Sequence, residues 1–261
     1  MASILEPRDL GDILGETFRI YGRNFLRLIA IVAIVEGILG ILGVVLVSVF
    51  ALPAIMGIMA VETIESLAPL VPTIIMIGII LVVVYIVAYP LMEGALIHAV
   101  SEQSLRRTIS IGRAYRFAWR RLGAMIGAMI LAGLAILGMS ITIVGIPFAI
   151  YFGIRWIFIW QAALLEGVGA RAALSRSSDV VRGDWWRVVG IIFVVGIIVG
   201  VISAILGIIP IVGSIIGSIL STPIFIAAAT LLYYDLRVRK EGYNLEALAE
   251  EVNIKLSSDV A

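Results

Sequence analysis

The stretch Leu174-Ser175-Arg176-Ser177-Ser178-Asp179-Val180-Val181-Arg182-Gly183-Asp184-Trp185-Trp186-Arg187-Val188-Val189-Gly190-Ile191-Ile192 decides the fold. A short basic amphipathic segment stops at Asp184, meets two tryptophans, and becomes an uninterrupted apolar run. The same join occurs near the N-terminus, where Phe18-Arg19 and Arg23-Asn24-Phe25-Leu26-Arg27 lead into Leu28. It occurs again where Tyr115-Arg116 and Trp119-Arg120-Arg121 precede Leu122. Each join reads as a helix on a membrane surface feeding a transmembrane hairpin. The aromatic rings Phe25, Trp119, Trp185 and Trp186 fall at headgroup depth, which aromatic side chains favour. Asn24 and Asp184 have side chains suited to an N-cap where a new helix starts, and Gly22 and Gly183 relax the backbone beside them.

Working outward, six apolar runs follow the joins: residues 28–49, 74–96, 122–144, 148–165, 188–209 and 215–232. Each approaches the roughly 20 residues that cross a bilayer. The expected fold is all-α, a polytopic membrane protein with six transmembrane helices arranged as three hairpins. A basic interfacial amphipathic helix is expected before each hairpin. The whole of 1–261 reads as one integral membrane domain, with 1–27 as the first interfacial helix and 233–261 as a cytoplasmic tail. In that first helix Leu10, Ile13, Leu14, Phe18, Tyr21 and Phe25 recur at spacings of three and four, which makes one apolar face. A soluble helix packed on a partner has the same periodicity. Gly145 and Pro147 mark the second hairpin turn, and Pro210 and Gly213 the third. The first connection, about 51–73, is longer and has room for a short surface helix.

Composition agrees with this reading. The chain is 62% hydrophobic and 14% charged, against roughly half apolar and about a quarter charged in ordinary globular domains. Mean hydropathy is +1.14. There are no cysteines and one histidine, so neither disulfides nor a thiolate or histidine-based metal centre is expected. A net charge of +1 gives no bulk attraction to nucleic acid. Glu6, Asp9 and Asp12 occupy the place of a signal peptide's basic region, so no cleavable leader is expected.

Lys and Arg are placed asymmetrically. Four lie in the N-terminal segment, six between the second and third runs, four between the fourth and fifth, and four in the tail; that is all of the 19 except Arg155. The opposite connections hold none. The positive-inside rule then puts both termini in the cytoplasm of a multi-pass protein of the plasma or inner membrane.

Two charged residues fall well inside the runs, Glu36 and Arg155. Counted along their helices at about 1.5 Å per residue, they lie at similar depth. A lone charge in lipid is costly and pairing relieves it, so a Glu36–Arg155 ion pair is expected. Such a pair serves either as a structural lock or as a polar substrate or proton site. Glu166 reads as a carboxylate at the inner boundary of the fourth run. Arg19, Arg23, Arg113, Arg116, Arg120, Arg121, Arg182 and Arg187, with Trp185 and Trp186, are the expected contacts to anionic headgroups of the cytoplasmic leaflet. No HExxH, GxSxG or GxxxxGK[ST] motif is present; no catalytic, cofactor or metal residues are assigned. Leu245, Leu248, Ala249 and Val252 form a short amphipathic pattern through which the tail would take a protein partner, although a frayed acidic tail is the simpler expectation.

Leu165-Glu166-Gly167-Val168-Gly169, Ala173-Leu174-Ser175-Arg176-Ser177, and the run from Val181 to Gly190 together resemble the membrane domain of glycerophosphoryl diester phosphodiesterase. So do the ending Leu231-Leu232-Tyr233-Tyr234-Asp235-Leu236-Arg237-Val238-Arg239-Lys240-Glu241-Gly242 and the opening Leu10-Gly11-Asp12-Ile13-Leu14 with Phe18-Arg19 and Tyr21. The resemblance implies a six-span prokaryotic membrane module. The catalytic His-Arg-Gly segment and acidic metal ligands of the fused enzymes have no counterpart, so the enzymatic activity is not carried over. The expected role is a non-catalytic membrane scaffold or lipid-interacting module. The alternative is a small transporter component with a polar site at Glu36 and Arg155.

Overall fold

The computed structural model of the protein describes residues 7–46, 48–49, 70–209 and 212–252. These are helices and connecting turns, with no strand among the described residues. In order the helices are α1 (Leu10–Arg23), α2 (Phe25–Leu46), α3 (Leu70–Ser104), α4 (Ile111–Ser140), α5 (Gly145–Arg155), α6 (Ile159–Leu165), α7 (Ala170–Val181), α8 (Trp185–Leu206), α9 (Val212–Glu241) and α10 (Leu245–Glu251). Among the described residues six helical stretches are long and apolar enough to cross a membrane, with α5 and α6 together forming the fourth. The expected surface helix in the first connection lies outside the described residues.

The chain divides into two compact units, Ala33–Tyr89 and the remainder. In the smaller unit, Ile34, Ile38, Ile41, Val44, Ile74, Ile79 and Val82 are exposed, and Tyr85 stacks on Tyr89 with ring centroids 5.0 Å apart. An apolar surface of this extent is tolerated where lipid is the solvent, not water.

The larger unit holds the packed core. There α9 lies against α8, α1 and α7, while α4 packs on α5, α6 and α7. Small residues let these helices close up: Ala114, Ala118, Ala128 and Ala132 are the buried face of α4. Gly94 of α3 is so near Ala118 that a Cβ on it would lie at 2.9 Å. Outward-facing Phe193, Ile197, Val201 and Ile205 of α8 remain exposed, as a lipid-facing stripe would be.

Helix length separates this unit into levels. At about 1.5 Å per residue, the 30 residues each of α4 and α9 exceed the roughly 30 Å hydrocarbon layer. At the polar end of this unit, the last turns of α3 bury Ser101, Glu102 and Ser104, and α9 buries Asp235 and Arg237. With α1, α7 and α10, these ends build a polar-cored layer continuous with the spans.

Several joins differ in detail from the sequence reading. The basic segment before Leu122 is not a separate surface helix, because α4 runs unbroken from Ile111 to Ser140. Nothing like the Gly183-Asp184 break interrupts it. At the α7–α8 join, Gly183 does adopt a positive φ of 89°, a conformation open to glycine. Asp184 occupies the N-cap position of α8 without capping through its side chain; its carboxylate pairs with Lys240 at 3.1 Å. Asn24 also does not cap, its Nδ2 donating instead to the Ile20 carbonyl and to Gln103 Oε1. The buried face of α1 is Ile13, Thr17 and Ile20, which leaves Phe18 and Phe25 exposed. The fourth span is broken at residues 156–158. There Ser177 of α7 donates to the Arg155 carbonyl at 2.8 Å and accepts from the Phe158 N–H at 3.1 Å. A hydroxyl inserted into the helical ladder accounts for the interruption.

Candidate functional site

The densest chemistry of the larger unit is a pair of ion networks and a basic cavity at its polar end. The first network centres on Glu166, just past α6. Its carboxylate accepts from Arg176 Nε at 2.6 Å and from the Tyr233 hydroxyl. Arg176 reaches on to Glu241 at 2.5 Å, and this hydrogen bond holds its pKa above the ordinary arginine value. Arg237 lies between Glu241, at 3.2 Å, and Glu251, at 2.8 Å. Its guanidinium also sits 3.7 Å from the centroid of the Tyr243 ring, within cation–π range. Tyr243 donates to Glu251 at 2.5 Å, and burial raises its pKa well above the usual phenol value. Together these contacts join α6, α7, α9 and α10.

The second network surrounds Asp235, whose side chain is fully buried. It accepts from the Arg8 backbone N–H at 2.7 Å, from Arg187 at 2.9 Å and from Arg239 at 3.0 Å. Arg187 and Arg239 both donate as well to the Arg8 carbonyl. Lys240 closes the neighbouring turn by donating to the carbonyls of Val180, at 2.6 Å, and Arg182. A buried carboxylate is tolerable only when its lone pairs are filled in this way.

Arg121 donates to the Gly167 carbonyl at 3.0 Å. Gly167 has φ +67°, and a Cβ there would meet the Arg121 guanidinium at 2.1 Å. The left-handed turn at this position favours glycine, and the absence of a side chain leaves room for the Arg121 guanidinium.

The sequence-predicted residues distribute as follows. Arg19, Arg23, Arg116, Arg120, Arg182 and Trp186 are exposed. Arg19 pairs with Glu16, while Arg113 pairs with Glu102 at 2.8 Å and keeps more than half its side chain exposed. Arg121 and Arg187 are engaged within the chain as described. Trp185 donates to the Tyr151 carbonyl at 3.3 Å and stacks on that ring. Arg155 donates to the Ser178 carbonyl at 3.1 Å, which puts its guanidinium at the level of α7, and it lies 5.7 Å from the Tyr151 ring centroid. Glu36 is half-exposed on α2 in the smaller unit.

The tail is not frayed over its described part. α9 continues to Glu241, and α10 follows with an N-cap bond from Asn244 to the Ala247 N–H at 2.9 Å. Leu248, Ala249 and Val252 are buried against the chain itself, so this apolar face already has its partner. Sequence reading missed the roles of Glu166, Asp235 and Arg237. The available signal was the crowding of opposite charges in the Tyr233–Glu241 ending, next to apolar residues that have to be buried.

A cavity of about 200 Å³ opens beside α4, lined by His98, Glu102, Arg113, Arg116, Phe117, Arg120 and Val252. Glu102 is fully buried and accepts from the Ser110 N–H at 2.9 Å as well as from Arg113. Among the described residues no group of three or more His, Cys, Asp or Glu is placed to hold a metal ion.

Fold and site define a polytopic α-helical membrane protein. Residues 130–238 match the family described as the membrane domain of glycerophosphoryl diester phosphodiesterase, as the sequence resemblance implies. The matched segment contains Glu166, Arg176, Arg187, Tyr233, Asp235 and Arg237, the framework of both ion networks. It does not extend to the opening around Leu10–Tyr21. Neither the curated proteins nor the solved structures contain a match to this chain.

Proposed function

We propose that this chain is a non-catalytic lipid-interacting scaffold of the plasma or inner membrane, with both termini in the cytoplasm. The observation that carries the reading is the set of exposed cationic side chains in the larger unit. Arg19, Arg23, Arg116, Arg120 and Arg182 are exposed, as are Trp119 and Trp186. Side chains of this kind near an anionic leaflet contribute on the order of 1 kcal/mol each. The ion networks support the same reading from the other side, since they tie down α7 and the segment before α1, which lead into Arg182 and Arg19.

The experiment is native mass spectrometry of the protein extracted gently from its own membrane. In the scaffold reading, neutralising Arg19, Arg23 and Arg182 to Gln reduces the anionic lipid retained, and Glu36→Gln leaves it unchanged. A specific small molecule retained by the wild type and lost in Glu36→Gln or Arg155→Gln, with lipid retention intact in the arginine variants, would replace this reading with the transporter one. One observation favours that alternative: Gln161 Oε1 and Thr230 Oγ1 are buried without hydrogen-bond partners, as polar groups awaiting a ligand would be.

A further inference from the structure

We infer that the cavity beside α4 is a binding site for a phosphate group, seated against Arg116 and Arg120 and closed on its inner side by His98. The inference rests on the lipid-interacting reading and assigns it a specific site.

Arg113, Arg116, Phe117 and Arg120 fall three, four and seven residues apart, so one face of α4 forms the cavity wall. Its charges are not equivalent. Arg113 is spent on Glu102, and Glu102 is in turn filled by Arg113 and the Ser110 N–H. Arg116 and Arg120 have no hydrogen bond or ion pair among the described residues, so the lining keeps two uncompensated guanidinium groups. A merely solvated basic face would end there. Here the inner wall adds His98, which is 3% exposed. Its ring is held against Phe117 at 4.6 Å between centroids, and its Nδ1 is buried without a partner. Two unpaired guanidinium forks on one cavity wall suit the tetrahedral oxygens of a phosphate.

Size narrows the ligand further. A volume of about 200 Å³ is below the roughly 300–1,000 Å³ of pockets that enclose a drug-sized molecule. The cavity therefore takes an anionic group whose remainder lies outside. The apolar part of α4 begins at Leu122, two residues beyond Arg120, which puts hydrocarbon next to the opening. A phospholipid headgroup meets these conditions, and free phosphate has the same recognised chemistry.

The test uses the full chain in detergent with added dioleoylphosphatidylglycerol or dioleoylphosphatidylcholine, read by native mass spectrometry. Phosphorus NMR line broadening of inorganic phosphate is the second readout. The wild type should retain one tightly held phosphatidylglycerol. R116Q/R120Q should weaken it by about thirtyfold, the effect of two basic side chains at an anionic surface, while R19Q/R23Q leaves that one lipid in place. Because Arg116 and Arg120 hold no partner among the described residues, their replacement leaves the described contacts intact. Val252→Phe, which fills the cavity and keeps every arginine, should also release the lipid.

Displacement of the lipid by millimolar inorganic phosphate, with broadening lost in R116Q/R120Q, would support the site and name free phosphate as its ligand. Retention in R116Q/R120Q equal to wild type would overturn the site while the lipid-interacting reading stands. No preference for phosphatidylglycerol in any form would sink the lipid-interacting reading. In that case phosphate broadening sensitive to R116Q/R120Q would still uphold the site, and its absence would remove both.

Discussion

Asp235 has the most demanding environment of any described carboxylate in the two networks. Its side chain is fully buried, and three donors from different parts of the chain converge on it: the Arg8 N–H, Arg187 and Arg239. Removing a buried charge leaves its partners uncompensated, at a cost of about 3–5 kcal/mol, whereas an exposed pair costs about 0–1 kcal/mol. Asp235→Ala should therefore lower the thermal unfolding midpoint in detergent severely. Removing Glu16 from its contact with the half-exposed Arg19 should be close to neutral. Equal effects from the two substitutions would show that Asp235 is not the structural centre proposed for it. The same asymmetry explains why Glu166 was hard to read from sequence. A carboxylate at the end of an apolar run looks the same whether it faces water or three partners, Arg176, Tyr233 and Arg237, brought from 10 to 71 residues away.

Among the elements, α7 does the most to shape its surroundings. It was legible as a basic amphipathic segment because its apolar and polar residues alternate at helical spacing and Gly183-Asp184 ends it. What it touches was not legible. Ser177 splices the break between α5 and α6 by bonding at both Arg155 and Phe158, and Ser178 takes the Arg155 guanidinium. A straight-helix count could not show this contact, because the turn at residues 156–158 and the return of α7 bring Ser178 to Arg155. Ser177→Ala should cost about 1–3 kcal/mol, the penalty for leaving a buried Phe158 N–H unsatisfied. It should also raise amide hydrogen exchange at residues 156–158 specifically. Exchange that rises evenly along α5 and α6 would argue against the splice. The second hairpin's basic segment shows the opposite limit: the composition of Arg113 to Arg121 is that of a surface helix, yet with no break it continues as α4.

For the whole molecule, the class of fold was readable because lipid imposes it. Six stretches of the required length and apolarity have few alternatives when every backbone group has to be satisfied internally. The extent of the polar layer was not readable, since runs were counted only to where their hydropathy ended. α9 in fact carries nine more helical residues beyond Leu232. Topology remains an expectation from charge, and the absence of native cysteine makes it simple to test. Single cysteines placed at Gly112 and Ser178 should resist a membrane-impermeant maleimide in intact cells and react once the membrane is opened. One placed at Thr142 should react in intact cells. The reverse pattern would invert the orientation on which the cytoplasmic assignment rests.

The Asp235 joint also dictates an order of assembly. Its donors at Arg8 and Arg239 lie at nearly opposite ends of the chain, and α1 packs along α9. During synthesis the first helix is made long before the last, so its place on α9 does not yet exist. It has to wait with its Ile13, Thr17 and Ile20 face uncovered, and the larger unit closes only when the final span arrives. The ring of contacts is thus a completion check, in which a chain stalled short of α9 leaves its own beginning undocked.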